Sequence, residues 1–510
     1  MSRLLILILF MLWLCDPTQG SAVPAFRLAL PLFFGVYVVL VFATGFWGRY
    51  IARRVAAWNF QQSLKRFNLM MEAARMAIPV WFVIGLYFLG WRAAVANLLG
   101  PSLMNSVLGV IIGTLPPFAA WMGLWWSQYP ADRALREQSL LTLIDADLPL
   151  HAPPRFASYF LSNLRLQILF LGVPLLLIVL GHDLGMLLGS ALHLQEEAMN
   201  VLEIVSWIVS AGGVFLFAPE ILRRVLHTEP LGDSPLRRRL HALCQRTGIR
   251  YRDVLLWKTD HNMGNAAVMG FVPRLRYILL SDLLLEQMPD DEIEAVFAHE
   301  MGHIVHRHMN WYVVFVVVLA MINAGPGSRL GDAFAKWLGG TAQDLVPAVL
   351  TIGTFLLLFG YISRKFERQA DVYAARTIQM RHPLELPAGV SLLPAVDALG
   401  DDENGDALLE NPSVAIPQLP ATPRAKLPSS FVGPYGAALF ASALRRVAIV
   451  NNIPIAARSW CHGSIATRMQ YLQGLSLDPQ LTAGFDRYMR WIYTALIGAL
   501  VVSATILAIS

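Results

Sequence analysis

His299-Glu300-Met301-Gly302-His303 is the densest chemical signal in the chain. Residues i and i+4 of a helix project from one face, so the two imidazoles stand at a separation that one tetrahedral zinc ion bridges. Glu300, one position along, reaches a water polarised by that ion and suits its general base. At this chain's His and Glu frequencies a chance match is on the order of one in a hundred. A catalytic zinc takes three protein ligands and keeps a position open, so another helix must supply the third. Glu367 and Asp371, in Phe366-Glu-Arg-Gln-Ala-Asp371, are again i and i+4. Glu367 suits the third ligand, and Asp371 suits an acceptor that orients a ligating imidazole. A plainer reading of this pair is an i,i+4 charge network with Arg364, Lys365 and Arg368. His306 and His308 extend the His-rich turn and read as solvated or headgroup-facing side chains.

The elements that position these residues belong to a membrane protein. Of 510 residues, 56% are apolar and 15% charged, and mean hydropathy is +0.51. A soluble domain carries about 25% charge, so a disordered chain, a secreted disulfide scaffold and an ordinary cytosolic enzyme are all disfavoured. Cys15, Cys244 and Cys461 are too few and too scattered for a disulfide framework or thiolate metal cluster. The net charge of +5 requires no nucleic-acid partner, because membrane proteins gather Arg and Lys on their cytoplasmic side. The Arg237-Arg238-Arg239 run accordingly faces headgroups or water. Only Lys65, Lys258, Lys336, Lys365 and Lys426 are lysine, an arginine bias that points to a GC-rich bacterial genome.

Arg3, an apolar run to Leu14 and Gly20-Ser21-Ala22 describe a signal peptide over residues 1–22. Apolar spans are predicted at 28–48, 76–90, 103–126, 166–181, 201–217, 311–323, 345–362 and 491–509, with Pro116 and Pro117 bending the third. Basic residues crowd the segments after the first, third, fifth and seventh, which puts those segments in the cytoplasm. The chain thus divides into a five-span region (28–218), a cytoplasmic part carrying the His motif (219–310) and two spans (311–362). A second cytoplasmic part (363–490) and a last span (491–509) follow. Two spans between the ligand helices return the chain to one side, as a shared site requires. Residues 275–280 read as a strand, and Asp290 as the cap of a helix through Ile293, Val296, Phe297 and Ile304. Residues 383–434, rich in Pro and carrying Asp401, Asp402, Glu403, Asp406 and Glu410, read as a flexible loop.

Five spans, H-E-x-x-H, two spans and E-x-x-A-D, in that order, resemble the integral-membrane zinc proteases known as type I CAAX prenyl proteases. Asn265-Ala266-Ala267-Val268-Met269-Gly270 is similar to the family's N-A-x-x-x-G segment, and His462 and Arg468 to its late His and Arg. The resemblance implies that Asn265 and Ala266 belong to an edge strand pairing with substrate backbone. It implies that His462 stabilises the oxyanion, while Arg468 braces it or holds a carboxylate. It also implies about seven core helices forming a barrel around a water-filled chamber, so the fold class is mainly α with a small strand element. Gly463 stands where the family usually has Pro, and the Pro-rich loop, the signal-like segment and the last span lie outside the family core.

The expectation is a zinc metalloendopeptidase in a bacterial inner membrane, its catalytic parts cytoplasmic. Its partners are the lipid bilayer and a peptide or protein substrate, either a prenylated C-a-a-X protein or a membrane protein in quality control, and no nucleic acid. An intramembrane site-2 protease is disfavoured because residues 290–308 are too polar to span. A non-proteolytic zinc-containing scaffold, chaperone or channel is the alternative, and an intact Glu300 argues against it.

Overall fold

A computed structural model describes residues 2–14, 28–55, 60–144, 152–338, 349–351, 353–381, 431–451 and 453–509. The chain forms two compact units. One comprises Met1–Glu229 with Leu256–Asn262, the other Pro230–Leu255 with Met263–Ser510. Eight described helices are long and apolar enough to cross a membrane, in the order that hydropathy predicts, with the last at Pro479–Ile509.

The first unit contains α1 (Ser2–Leu14), α2 (Ala29–Arg54), α3 (Phe60–Tyr87), α4 (Trp91–Leu99), α5 (Val107–Ile144), α6 (Phe156–Asn163), α7 (Phe170–Ala191) and α8 (Glu196–Val225). The start of the expected signal peptide is α1, whose Ile6, Leu9 and Trp13 are fully buried beside Phe33, Ile78 and Phe82. The Trp13 indole N–H donates to the Met104 carbonyl at 3.0 Å. Residues 15–22 of that expectation lie outside the described residues. Helix α5 continues through Pro116, Pro117 and Pro130. Helices α7 and α8 pack through small residues: a Cβ on Gly185 would lie 2.8 Å from the Ser206 Cβ, and one on Gly181 meets Ser210. Small residues let membrane helices approach closely where no hydrophobic force pushes them together.

The second unit carries α9 (Pro235–Thr247), β2 (Asp253–Trp257, its last two residues in the first unit), β3 (Ala266–Met269), β4 (Tyr277–Ser281), α10 (Asp282–Gln287) and α11 (Asp290–Val305). With β1 (Thr228–Pro230) these strands make a sheet in the order β1-β2-β4-β3, which leaves β3 at an edge. It pairs antiparallel with β4, from Ala266 opposite Leu280 to Met269 opposite Tyr277. The expected strand at 275–280 is thus shifted by a 3-10 turn over Pro273–Leu275. Pro289 occupies the N-cap of α11 and Asp290 is its first residue, which corrects the capping expectation. The acidic first turn is clamped instead by Arg239, which donates to Glu294 at 2.6 Å and also contacts Asp290 and Asp291.

There follow α12 (His308–Ile322), α13 (Ser328–Leu338), α14 (Gly360–Arg381), α15 (Pro434–Val450), α16 (Ile465–Leu477) and α17 (Pro479–Ile509). The expected loop lies outside the described residues up to residue 430, while Pro434 opens α15. Fully buried Phe297, Phe366 and Phe440 bring α11, α14 and α15 into one core. Glu292 on α11 ties to α15 through Ser442 at 2.7 Å and Arg446 at 2.5 Å.

Candidate metal centre

Helical spacing puts His299, Glu300 and His303 on α11, and Glu367 and Asp371 on α14. Close approach brings the two sets together. A Cβ on Gly302 would lie 2.9 Å from the Ala370 Cα, so only glycine allows the helices this near. His299 Nε2 then stands 3.3 Å from His303 Nε2. Glu367 approaches each of these nitrogens to 3.6 Å, His299 with Oε2 and His303 with Oε1. Zinc bonds of about 2.05 Å in a tetrahedron set neighbouring ligand atoms about 3.3 Å apart, so these three side chains fit such an ion. Their charge fits as well. Glu367 and Asp371 are 6% and 1% exposed, their charges met by Arg468 and by a proton on His299 that a cation at the ligand atoms would replace.

Around the ligand atoms, His299 Nδ1 lies 2.9 Å from Asp371 Oδ1. Asp371 in turn accepts two hydrogen bonds from Arg468, at 2.6 and 2.8 Å. His462 Nδ1 stands 3.0 Å from Glu367 Oε2. The basic neighbours on α14 point elsewhere: Arg364 donates to the Trp460 carbonyl, Lys365 lies over Tyr361 and Tyr488, and Arg368 over Tyr471. The plain charge network is therefore not what the two acids form.

Glu300 is flanked by the edge strand, with the Val268 backbone N–H as a hydrogen-bond partner. Burial pushes its carboxyl up to about 7, against the pull of His299. Burial pulls His299 down, but its bonds to Asp371 and Glu367 outweigh that and hold it at about 9. Burial takes His303 down to about 4, leaving it the neutral imidazole that a metal requires. Asn265 donates its N–H to Ser281 Oγ at 2.8 Å, and its own Oδ1 accepts from Ala266 N–H at 2.9 Å.

Sequence reasoning misplaces one histidine. His308 is 1% exposed, not solvated, and its Nδ1 lies 2.8 Å from His303 Nδ1. Its Nε2 meets Gln369 Oε1 at 3.0 Å, and that oxygen also accepts from the Tyr493 hydroxyl at 2.5 Å. The cause is Arg307, whose left-handed φ of 53° ends one helix and starts the next, and no local pattern announces it. Histidine one turn past the motif is the only trace that the sequence carries.

Residues 230–442 match the model of peptidase family M48. Over that segment the chain is similar to membrane metalloproteases, CAAX prenyl proteases among them. Over 176 residues it is 28% identical to a protease HtpX homolog of Aeropyrum pernix, covering 32% of this chain and 53% of that protein. It is 28% identical over 159 residues to CAAX prenyl protease 1 homolog of Arabidopsis thaliana, covering 29% of this chain and 38% of that one. CAAX prenyl protease 1 of Saccharomyces cerevisiae is 23% identical over 362 residues, 62% of this chain and 74% of the relative. The chain thus spans about half or less of the first two relatives. The M48 segment holds the edge strand, His299, Glu300, His303, Glu367 and Asp371, while His462 and Arg468 lie beyond it.

Proposed function

We propose that this chain is a membrane-embedded zinc metalloendopeptidase in which His299, His303 and Glu367 hold the ion. The observation that carries this reading is the meeting beside Glu300 of one ligand atom from each of three side chains, all within 4.8 Å of one another. An ion held there would supply Lewis acidity towards a water and the scissile carbonyl. Glu300, on the same helix between the two imidazoles, takes the water's proton and delivers it to the leaving amine. Asp371 orients His299 and is itself held by Arg468. His462, next to Glu367, is placed to donate to the oxyanion. Alternate groups of an edge strand point away from its partner, so the outward groups of β3, preceded by Asn265 and starting at Ala266, pair with an extended substrate.

The substrate is either a prenylated C-a-a-X protein, as the names of two relatives suggest, or an unfolded membrane protein. Basic loops favour a site on the cytoplasmic side, and the arginine bias a bacterial inner membrane. Purified protein offered farnesylated and unfarnesylated peptides beside unfolded membrane proteins tests this. Hydrolysis that depends on zinc and on Glu300 is expected. Zinc retention with no hydrolysis of any substrate would leave the scaffold reading instead.

A further inference from the structure

We propose that His308 is a positioning residue: it fixes the tautomer of His303, and the last helix holds it there through Tyr493 and Gln369. The inference rests on His303 being a metal ligand, as proposed above. Proton accounting along the contacts carries it. His303 turns Nε2 towards His299 and Glu367. A ligating nitrogen must be bare, so the ring proton of His303 sits on Nδ1. That atom lies 2.8 Å from His308 Nδ1, and one hydrogen bond holds one proton, so His308 Nδ1 accepts. The proton of His308 is therefore on Nε2, which meets Gln369 Oε1 at 3.0 Å. The same oxygen accepts from the Tyr493 hydroxyl, which closes the chain at a group that can only donate to it.

The chain has a direction. Reversed, it would put the proton on His303 Nε2 and block the metal position. Packing keeps each member in place. Phe366 stacks on His308 with ring centroids 4.3 Å apart and planes 2° from parallel. Trp311 stacks on Tyr493 at 4.5 Å. The two ligating imidazoles thus have unlike supports: His299 faces a carboxylate, His303 a neutral ring. Helix α17, which the family comparison leaves outside the core, supplies the anchor.

The test uses the full chain in detergent, with zinc affinity read by competition against a chromogenic chelator and kcat and KM read on a peptide. His308→Leu keeps bulk but removes the acceptor, and zinc affinity should fall about 10- to 100-fold, with kcat lowered and KM little changed. His308→Asn puts an acceptor oxygen back near Nδ1 and should restore most of the affinity. Tyr493→Phe, two links away, should weaken zinc in the same direction by less. Wild-type affinity in His308→Leu overturns the proposal, as does an Asn variant as weak as the Leu variant. Should His308→Leu fail to fold, unchanged affinity in Tyr493→Phe overturns it. Wild-type protein that binds zinc without hydrolysing peptides defeats the peptidase reading alone, because the affinity comparison still decides this one.

Discussion

Gly302 and Ala370 touch with no room for a methyl group between them: a Cβ on the glycine would lie 2.9 Å from the alanine Cα. The contact lies between His299 and His303 on one helix, and between Glu367 and Asp371 on the other. Separation of α11 from α14 at this point would draw the ligand atoms apart. Gly302→Val should therefore cost about 1–3 kcal/mol by overpacking and lower zinc content more than its loss of stability explains. Calorimetry and metal analysis on the same sample check this. A destabilised variant with full zinc would show that the contact serves packing only.

Glu300 is not one of the three side chains that meet as ligands, so its loss should separate metal binding from turnover. Glu300→Gln is expected to retain zinc while kcat falls by about 10²- to 10⁴-fold. Equal turnover by the variant would remove Glu300 from the role of base.

Asp371 is 1% exposed and pairs with Arg468, whose side chain is 11% exposed. Asp371→Asn removes the hydrogen-bonded charge partner of a buried guanidinium, leaving it Glu367 at 3.8 Å, and should destabilise the protein by up to about 3 kcal/mol. Replacing both members with leucine should recover much of that stability but not zinc affinity, because His299 still lacks its acceptor. Denaturant titrations of the three proteins, each paired with a metal assay, measure both effects. Recovery of full affinity by the double variant would mean that Asp371 acts on the fold alone.

Cys244 is fully buried on α9, and burial pushes its thiol up to about 12. The thiolate is the reactive form, so at pH 8 the native protein should alkylate there far more slowly than a free cysteine of pKa about 8.5. The rate should climb with pH well beyond the range where a free thiol saturates. Mass spectrometry of iodoacetamide-treated protein, folded and unfolded, reads the difference. Equal labelling in both states would contradict the buried placement.

Local periodicity carries what was legible. Spacing of i and i+4 puts His299 with His303, and Glu367 with Asp371, on single helix faces whatever the rest of the chain does. Length and hydropathy likewise give eight spans in order, although they start the short second span too late, run it past the helix end at Tyr87, and place the fourth and sixth too narrowly. Asp290 reads as a cap from its residue type, while the backbone bends one residue earlier, at Pro289.

By itself the sequence determined which side chains can serve as ligands and base, because covalent spacing and the helical repeat fix those relations within each element. Only the tertiary structure decided how the elements meet. The Gly302 contact sets the distance between the two ligand pairs. The left-handed Arg307 turns His308 back onto His303, where an unbroken helix would have carried it onward. Residues far apart in the chain, Arg468 and Tyr493 among them, reach the site through packing. Such contacts depend on backbone reversals and side-chain volumes summed over the whole unit, and no local repeat encodes them.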